Sequence, residues 1–209
     1  MGYLKEAFYP KDISHAKDIC LTPNTNNPRK YQKETAATVQ IAEKEEICWY
    51  DCEVADFGCG VGRVSHSLIE RFGCKITGFD ISEPMLMFAT EYVDSKKFNP
   101  TVYNKNLENK EDYYNKFELV VCLFVLQHSE HPIEDIDFIH NILKSDGKLM
   151  FMNEHERFIP VGLDQKQMVI WDNDGINVHD EISKKFSLVS SHQYPNRFDN
   201  KLTIWQKKI

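Results

Sequence analysis

Apolar residues recur along this chain in two alternating rhythms. Short apolar runs of strand length stand at Val54–Phe57, Lys75–Phe79, Thr101–Tyr103, Phe117–Phe124 and Lys148–Met152. Between them the apolar positions space out to a helical period. Val64, Leu68 and Phe72 form one stripe, Leu86, Phe88, Ala89 and Val93 a second, and Ile133, Ile136, Ile139 and Leu143 a third. Ser82 ahead of Glu83-Pro84 reads as a helix start, and Ser145-Asp146-Gly147 as the break between the third helix and the strand GKLMFM.

Before this alternation, residues 28–47 place Tyr31, Thr35, Val39 and Ala42 on one helical face. After it, a helix over Val178–Phe186 precedes FSLVSSHQY and KLTIWQK, two β-rich runs joined by the turn-like PNRFDN. Strands that alternate with helices imply a parallel sheet. The expectation is an α/β fold: a doubly wound, mostly parallel seven-stranded sheet with helices on both faces and a C-terminal antiparallel hairpin. Residues 28–209 read as one domain. Residues 1–27, ending in TPNTNNP and carrying Tyr3, Phe8 and Tyr9, read as an N-terminal arm or lid, and residues 154–177 as a long substrate-side insertion. Phe158, Met168 and Trp171 in that insertion are candidates to line a pocket.

Composition narrows the function. With 209 residues the chain suits one well-buried domain, and 32 acidic against 25 basic residues give a net charge of -7. No sequence-wide field favours nucleic acid or an anionic membrane, and no run approaches the roughly 20 apolar residues of a membrane span. A cytoplasmic location is expected. The six cysteines, at 20, 48, 52, 59, 74 and 122, read as reduced thiols. Cys48 and Cys52 have no second zinc-spaced pair, and Asp172-Asn173-Asp174-Gly175 lacks calcium-loop spacing, so no metal is expected.

The chemistry sits in Val54–Ser65, VADFGCGVGRVS. Gly58, Gly60 and Gly62 follow a strand and open a helix, where free amides and the helix dipole favour a carboxylate or phosphate. Asp80 closes the next strand, the place at which an acid takes ribose hydroxyls in such folds. The dinucleotide fingerprint fails, because Arg63 stands where its third small residue belongs.

The segment DFGCGVG, with Asp80 ending the second strand, resembles the seven-stranded class I S-adenosylmethionine-dependent methyltransferases over roughly Val54 to Met152. The resemblance implies that S-adenosylmethionine lies against Asp56, Gly58, Cys59, Gly60 and Arg63. It implies Asp80 at the ribose, Ile81 and Met85 beside the adenine, and Asn106-Leu107 where the family usually has an acid at the adenine amine. Leu123, Phe124, Gln127 and His128 would border the reaction centre. His128 ranks first as a base, with His155 and Glu154 behind it.

The expected reaction is methyl transfer to an O or N atom of a small-molecule acceptor. V-L-Q-H after the fourth strand, in place of an N-P-P-Y-like segment, argues against methylases of adenine or glutamine amides. A peptide or protein N-methyltransferase, with an acidic mouth that includes Glu154 or Asp172, and a non-catalytic cofactor-binding subunit are the alternatives. Oligomeric state is left open.

Overall fold

A computed structural model describes residues 8–21, 30–104, 107–153, 158–161, 167–170, 175–195 and 201–209. Seven strands form one sheet: β1 (Glu53–Phe57), β2 (Lys75–Asp80), β3 (Phe98–Val102), β4 (Phe117–Leu123), β5 (Leu143–Met152), β8 (Phe186–Gln193) and β9 (Lys201–Lys207). Their order is β3-β2-β1-β4-β5-β9-β8. The first five are parallel, and β9 runs antiparallel to both β5 and β8. This is the doubly wound sheet with a C-terminal hairpin that the apolar pattern predicts. The chain reverses direction between β1 and β4, and such a switch opens a crevice at the strands' carboxyl ends.

Helices cover both faces. α2 (Lys30–Lys44), α3 (Arg63–Phe72) and α4 (Glu83–Val93) lie on one, α5 (Pro132–Ile142) and α6 (Val178–Lys185) on the other. Each face has its own core. Val54, Ile76, Leu119 and Met150 point into the first, and the alternate positions Ala55, Phe57, Phe79, Val120 and Phe151 into the second. Ser82 caps α4 as expected, accepting from the Met85 amide at 3.3 Å.

Four details depart from the sequence reading. The third stripe is rotated: Ile136, Phe138, Ile139 and Ile142 are buried, Ile133 is exposed, and Leu143 already belongs to β5. Ser145-Asp146-Gly147 does not end the helix, because β5 starts two residues earlier and absorbs them beside a register shift against β4. β3 covers Phe98–Val102 rather than Thr101–Tyr103; it tolerates Pro100 because it is an edge strand. On α2 the buried face runs through Glu34, Thr35, Thr38, Ile41 and Ala42, and Val39 is only half-buried.

Two segments contain elements the pattern did not reveal. The N-terminal arm holds α1 (Ile13–Cys20), capped by Asp12, whose carboxylate accepts from the His15 amide at 2.9 Å. Ala16 of α1 packs with Val61 and Met85 over the glycine turn. The insertion holds an antiparallel pair, β6 (Phe158–Val161) and β7 (Gln167–Ile170). Glu154, His155, Asn106, Trp171 and Asp172 lie outside the described residues, as does Tyr3.

Candidate functional site

A cavity of about 840 Å³ opens over the carboxyl ends of β1, β2, β3 and β4, at the switch in strand order. The first loop it meets is the glycine turn. Gly58 has φ +76°, and a Cβ there would lie 2.2 Å from the Val125 side chain. Glycine alone lets the turn after β1 approach the loop after β4 this closely. Gly60 has φ +55°, and Cys20 of α1 stands against it, 2.8 Å from where a Cβ would be.

Two carboxylates hold this turn. Asp56, buried at the end of β1, accepts from the Ser65 hydroxyl of α3 at 2.6 Å. Burial pushes its carboxyl up to about 6, against the Ser65 hydrogen bond, which lowers it. Asp80, at the end of β2, accepts from the Gly60 amide at 2.9 Å through Oδ2 and from the Ser82 amide at 2.9 Å through Oδ1. Burial raises the Asp80 carboxyl above its ordinary value while the amides of Ser82 and Gly60 pull it down.

Arg63 begins α3 and lines the same cavity. Its Nη1 donates to the Tyr31 carbonyl at 3.0 Å and to the Thr35 hydroxyl, and its guanidinium lies 5.1 Å from the centre of the Tyr31 ring. Helix α2 thus fixes the cation at the turn while leaving further N–H donors on the fork.

At the other side of the cavity β4 ends in Leu123 and Phe124. Phe124 has φ +63°, an uncommon value for a bulky residue, at the point where the chain turns over the crevice. The 3-10 turn Leu126–His128 follows, and the His128 amide donates to the Val125 carbonyl at 2.8 Å. The His128 ring packs 5.0 Å from Phe8, and its Nε2 lies 3.1 Å from Gln127 Nε2. Asn153, buried just after β5, sets its side-chain amide beside the Gln127 amide and the Met152 carbonyl. The next arm residue, Tyr9, donates its hydroxyl to the Ile81 carbonyl at 2.9 Å.

Most residues expected from sequence meet here. Asp56, Gly58, Cys59, Gly60, Arg63, Asp80, Ile81, Met85, Leu123, Phe124, Gln127 and His128 all line the one cavity. Leu107 instead packs against the second core, and the expectations for Asn106, Glu154 and His155 fall outside the described residues. The sequence reading did not place Tyr31, Cys20, Val102 or Tyr103 at the cavity. Tyr31 was visible only as one position on a helical face, since its approach to Arg63 depends on how α2 packs across α3.

Comparisons with known proteins agree with the fold. Residues 54–147 match the sequence family described as "Methyltransferase domain". The chain is 28% identical over 116 residues to a mitochondrial ubiquinone biosynthesis O-methyltransferase of Dictyostelium discoideum, covering 51% of this chain and 36% of that protein. It is 30% identical over 110 residues to the ubiquinone biosynthesis O-methyltransferase of Glaesserella parasuis, covering 50% of this chain and 46% of that one. The chain therefore spans less than half the length of either relative. In structure it resembles the magnesium protoporphyrin IX methyltransferase of Synechocystis PCC 6803, solved with bound S-adenosylmethionine. There the TM-score is 0.64 at 18% identity, over 98% of this chain and 95% of that one. The glycine turn, the carboxylate that closes β2 and the strand order are together those of a methyltransferase-like α/β fold, and the match to the methyltransferase domain family covers residues 54–147, just under half of the chain.

Proposed function

We propose that the protein transfers a methyl group from S-adenosylmethionine to an O or N atom of a small-molecule acceptor. The observation that carries the reading is the Asp80 carboxylate, held against the Gly60 and Ser82 amides at the floor of the cavity. The site fits the cofactor's parts. Asp80 presents its carboxylate at the cavity wall as an acceptor for ribose hydroxyls. Arg63 and the amides of the glycine turn offer positive charge and donors to an amino-acid carboxylate. Ile81 and Met85 give an apolar wall for a purine.

When bound, the cofactor supplies an electrophilic methyl group on a sulfonium. What remains for the protein is to align the acceptor and exclude water. Phe8 and Tyr9 cover the cavity from the arm, and Phe124 and Phe8 offer aromatic surface near the reaction centre. His128 is the side chain placed to take a proton from a hydroxyl acceptor. Residues 1–27 then act as a lid, and the segment 154–177 as the acceptor's other wall. No described helix is long and apolar enough to cross a membrane, and a cytoplasmic setting suits six free thiols.

Calorimetric titration with S-adenosylmethionine, followed by labelled methyl transfer to a panel of phenols and amines, tests this reading. Asp80→Ala should weaken cofactor binding by about 10- to 100-fold, the value of hydrogen bonds to a charged group. Unchanged affinity overturns the ribose assignment. Tight cofactor binding without transfer to any acceptor favours a non-catalytic binding subunit.

A further inference from the structure

Far from the cavity, three thiols meet at the opposite end of the sheet. Cys48 follows α2, Cys52 immediately precedes β1 and Cys74 immediately precedes β2, and all three are buried in the same core. The Sγ atoms of Cys48 and Cys52 stand 3.7 Å apart, and the Trp49 amide donates to Cys52 Sγ at 3.4 Å. Cys74 lies with them in that core.

We propose that Cys48 and Cys52 form an oxidation site that takes hydroperoxides and closes to a disulfide. The geometry supplies the partner before oxidation begins, since the two sulfurs need to approach by less than 2 Å to reach the bond length of about 2.05 Å. The backbone between them is a turn anchored at Asp51, whose amide donates to the Gly73 carbonyl at 3.1 Å. Residues 47–52 form no helix or strand, Glu46 and Asp51 have positive φ, and Trp49 and Tyr50 at the tip are exposed. The cover over the thiols is therefore a short turn rather than a packed element.

The group that reacts first is Cys52. The Cys48 thiol, 3.7 Å away, and the Trp49 amide donate to Cys52 Sγ and favour its thiolate, whereas Cys48 is raised. The Cys52 thiolate attacks one peroxide oxygen and the O–O bond breaks. This leaves a Cys52 sulfenic acid, and the departing hydroxide takes a proton to become water. The Cys48 sulfur then attacks the sulfenic sulfur, so the S–S bond forms and the S–O bond breaks. Its thiol proton leaves with that hydroxide as a second water. Two thiols are oxidised and one peroxide is reduced.

The test is to treat the folded full chain with hydrogen peroxide, quench it, unfold in the presence of an alkylating agent so that the buried thiols react, and digest at Trp49 or Tyr50. After that cut only a sulfur bond joins the two cysteines. The expected product is a Cys48–Cys52 linked peptide with Cys20, Cys59, Cys74 and Cys122 alkylated. The same treatment in urea should scatter the oxidation over all six. Cys48→Ser should lose the linked peptide and leave Cys52 sulfenic acid open to a dimedone-type trap or to Cys74. If the folded wild-type chain keeps both thiols free, or scatters as the unfolded one does, the proposal is wrong, whatever the variant does.

Discussion

The two sides of the cavity are built by different means. On the cofactor side, between β1 and α4, backbone amides and carboxylates lock a short stretch of chain upon itself: Gly60 to Asp80, Ser82 to Asp80, Ser65 to Asp56. On the acceptor side the parts come from remote segments: the Phe8 ring packs on His128, and the arm is tied by one hydrogen bond from the Tyr9 hydroxyl to the loop after β2. Hydrogen bonds to a fixed backbone leave one geometry, which suits a ligand that never changes. Ring contacts across distant segments can repack, which suits a wall that must differ between acceptors.

The sharpest way to break the first side is to deny it its close approach. Gly58→Ala places a Cβ 2.2 Å from Val125 at φ +76°, so strain and overlap act together. We expect a loss of about 4 kcal/mol in urea unfolding and no measurable cofactor binding by calorimetry. A stable variant that still binds the cofactor would show that the turn is softer than its contacts imply.

Next comes the pH dependence of the same turn. The Asp56 carboxyl titrates at about 6 in the fold, above an unfolded value near 4, because burial disfavours its charge. A raised folded value means that stability is fully present below pH 4 and is lost as pH rises through 6. Asp80 and Asp135 are shifted in the same direction. Asp56→Asn keeps an acceptor for Ser65 and removes this charge. Relative to wild type it should gain about 3 kcal/mol between pH 4 and pH 7 in denaturant titrations. A difference that stays flat with pH would mean Asp56 is not desolvated as its surroundings suggest.

These two predictions concern the part of the molecule that was readable before the structure. A strand, a glycine turn, a helix and an acid closing the next strand are local features, each with a sequence signature of its own, and they landed where the pattern put them. The contacts that remote segments make with the cavity were less readable. The Tyr31–Arg63 contact, the Cys20 contact with Gly60 and the Tyr9 latch join residues between 32 and 72 positions apart. No periodicity encodes such pairs, because they depend on how helices cross. The misplaced β5 boundary has the same origin. Ser-Asp-Gly is a sound turn signal locally, and sheet pairing with β4 overrides it.

For the acceptor side the first test is chemical. His128→Ala should lower turnover by about 100-fold with a hydroxyl acceptor while changing cofactor affinity little, and the acid limb of the pH–rate profile should vanish. If the profile keeps its shape in the variant, another group takes the proton and the ring serves only as a surface for Phe8.

The smallest expected effect asks whether the arm belongs to the site or merely rests on it. Tyr9→Phe removes one hydroxyl, and with it the 2.9 Å bond to the Ile81 carbonyl, while keeping the ring. A single neutral hydrogen bond on a partly exposed surface is worth about 1 kcal/mol, so unfolding should barely change. The arm's own equilibrium is a different matter. Cleavage within residues 8–21 by a low dose of protease reports how often it lifts, and a loss of about 1 kcal/mol should raise that rate about fivefold. Cofactor should suppress the cleavage in wild type, because the same Ile81 borders the cavity and the arm covers it. An arm that is cut equally fast with and without cofactor, in both proteins, would separate it from the acceptor side and leave Phe124, Gln127 and His128 to define that wall.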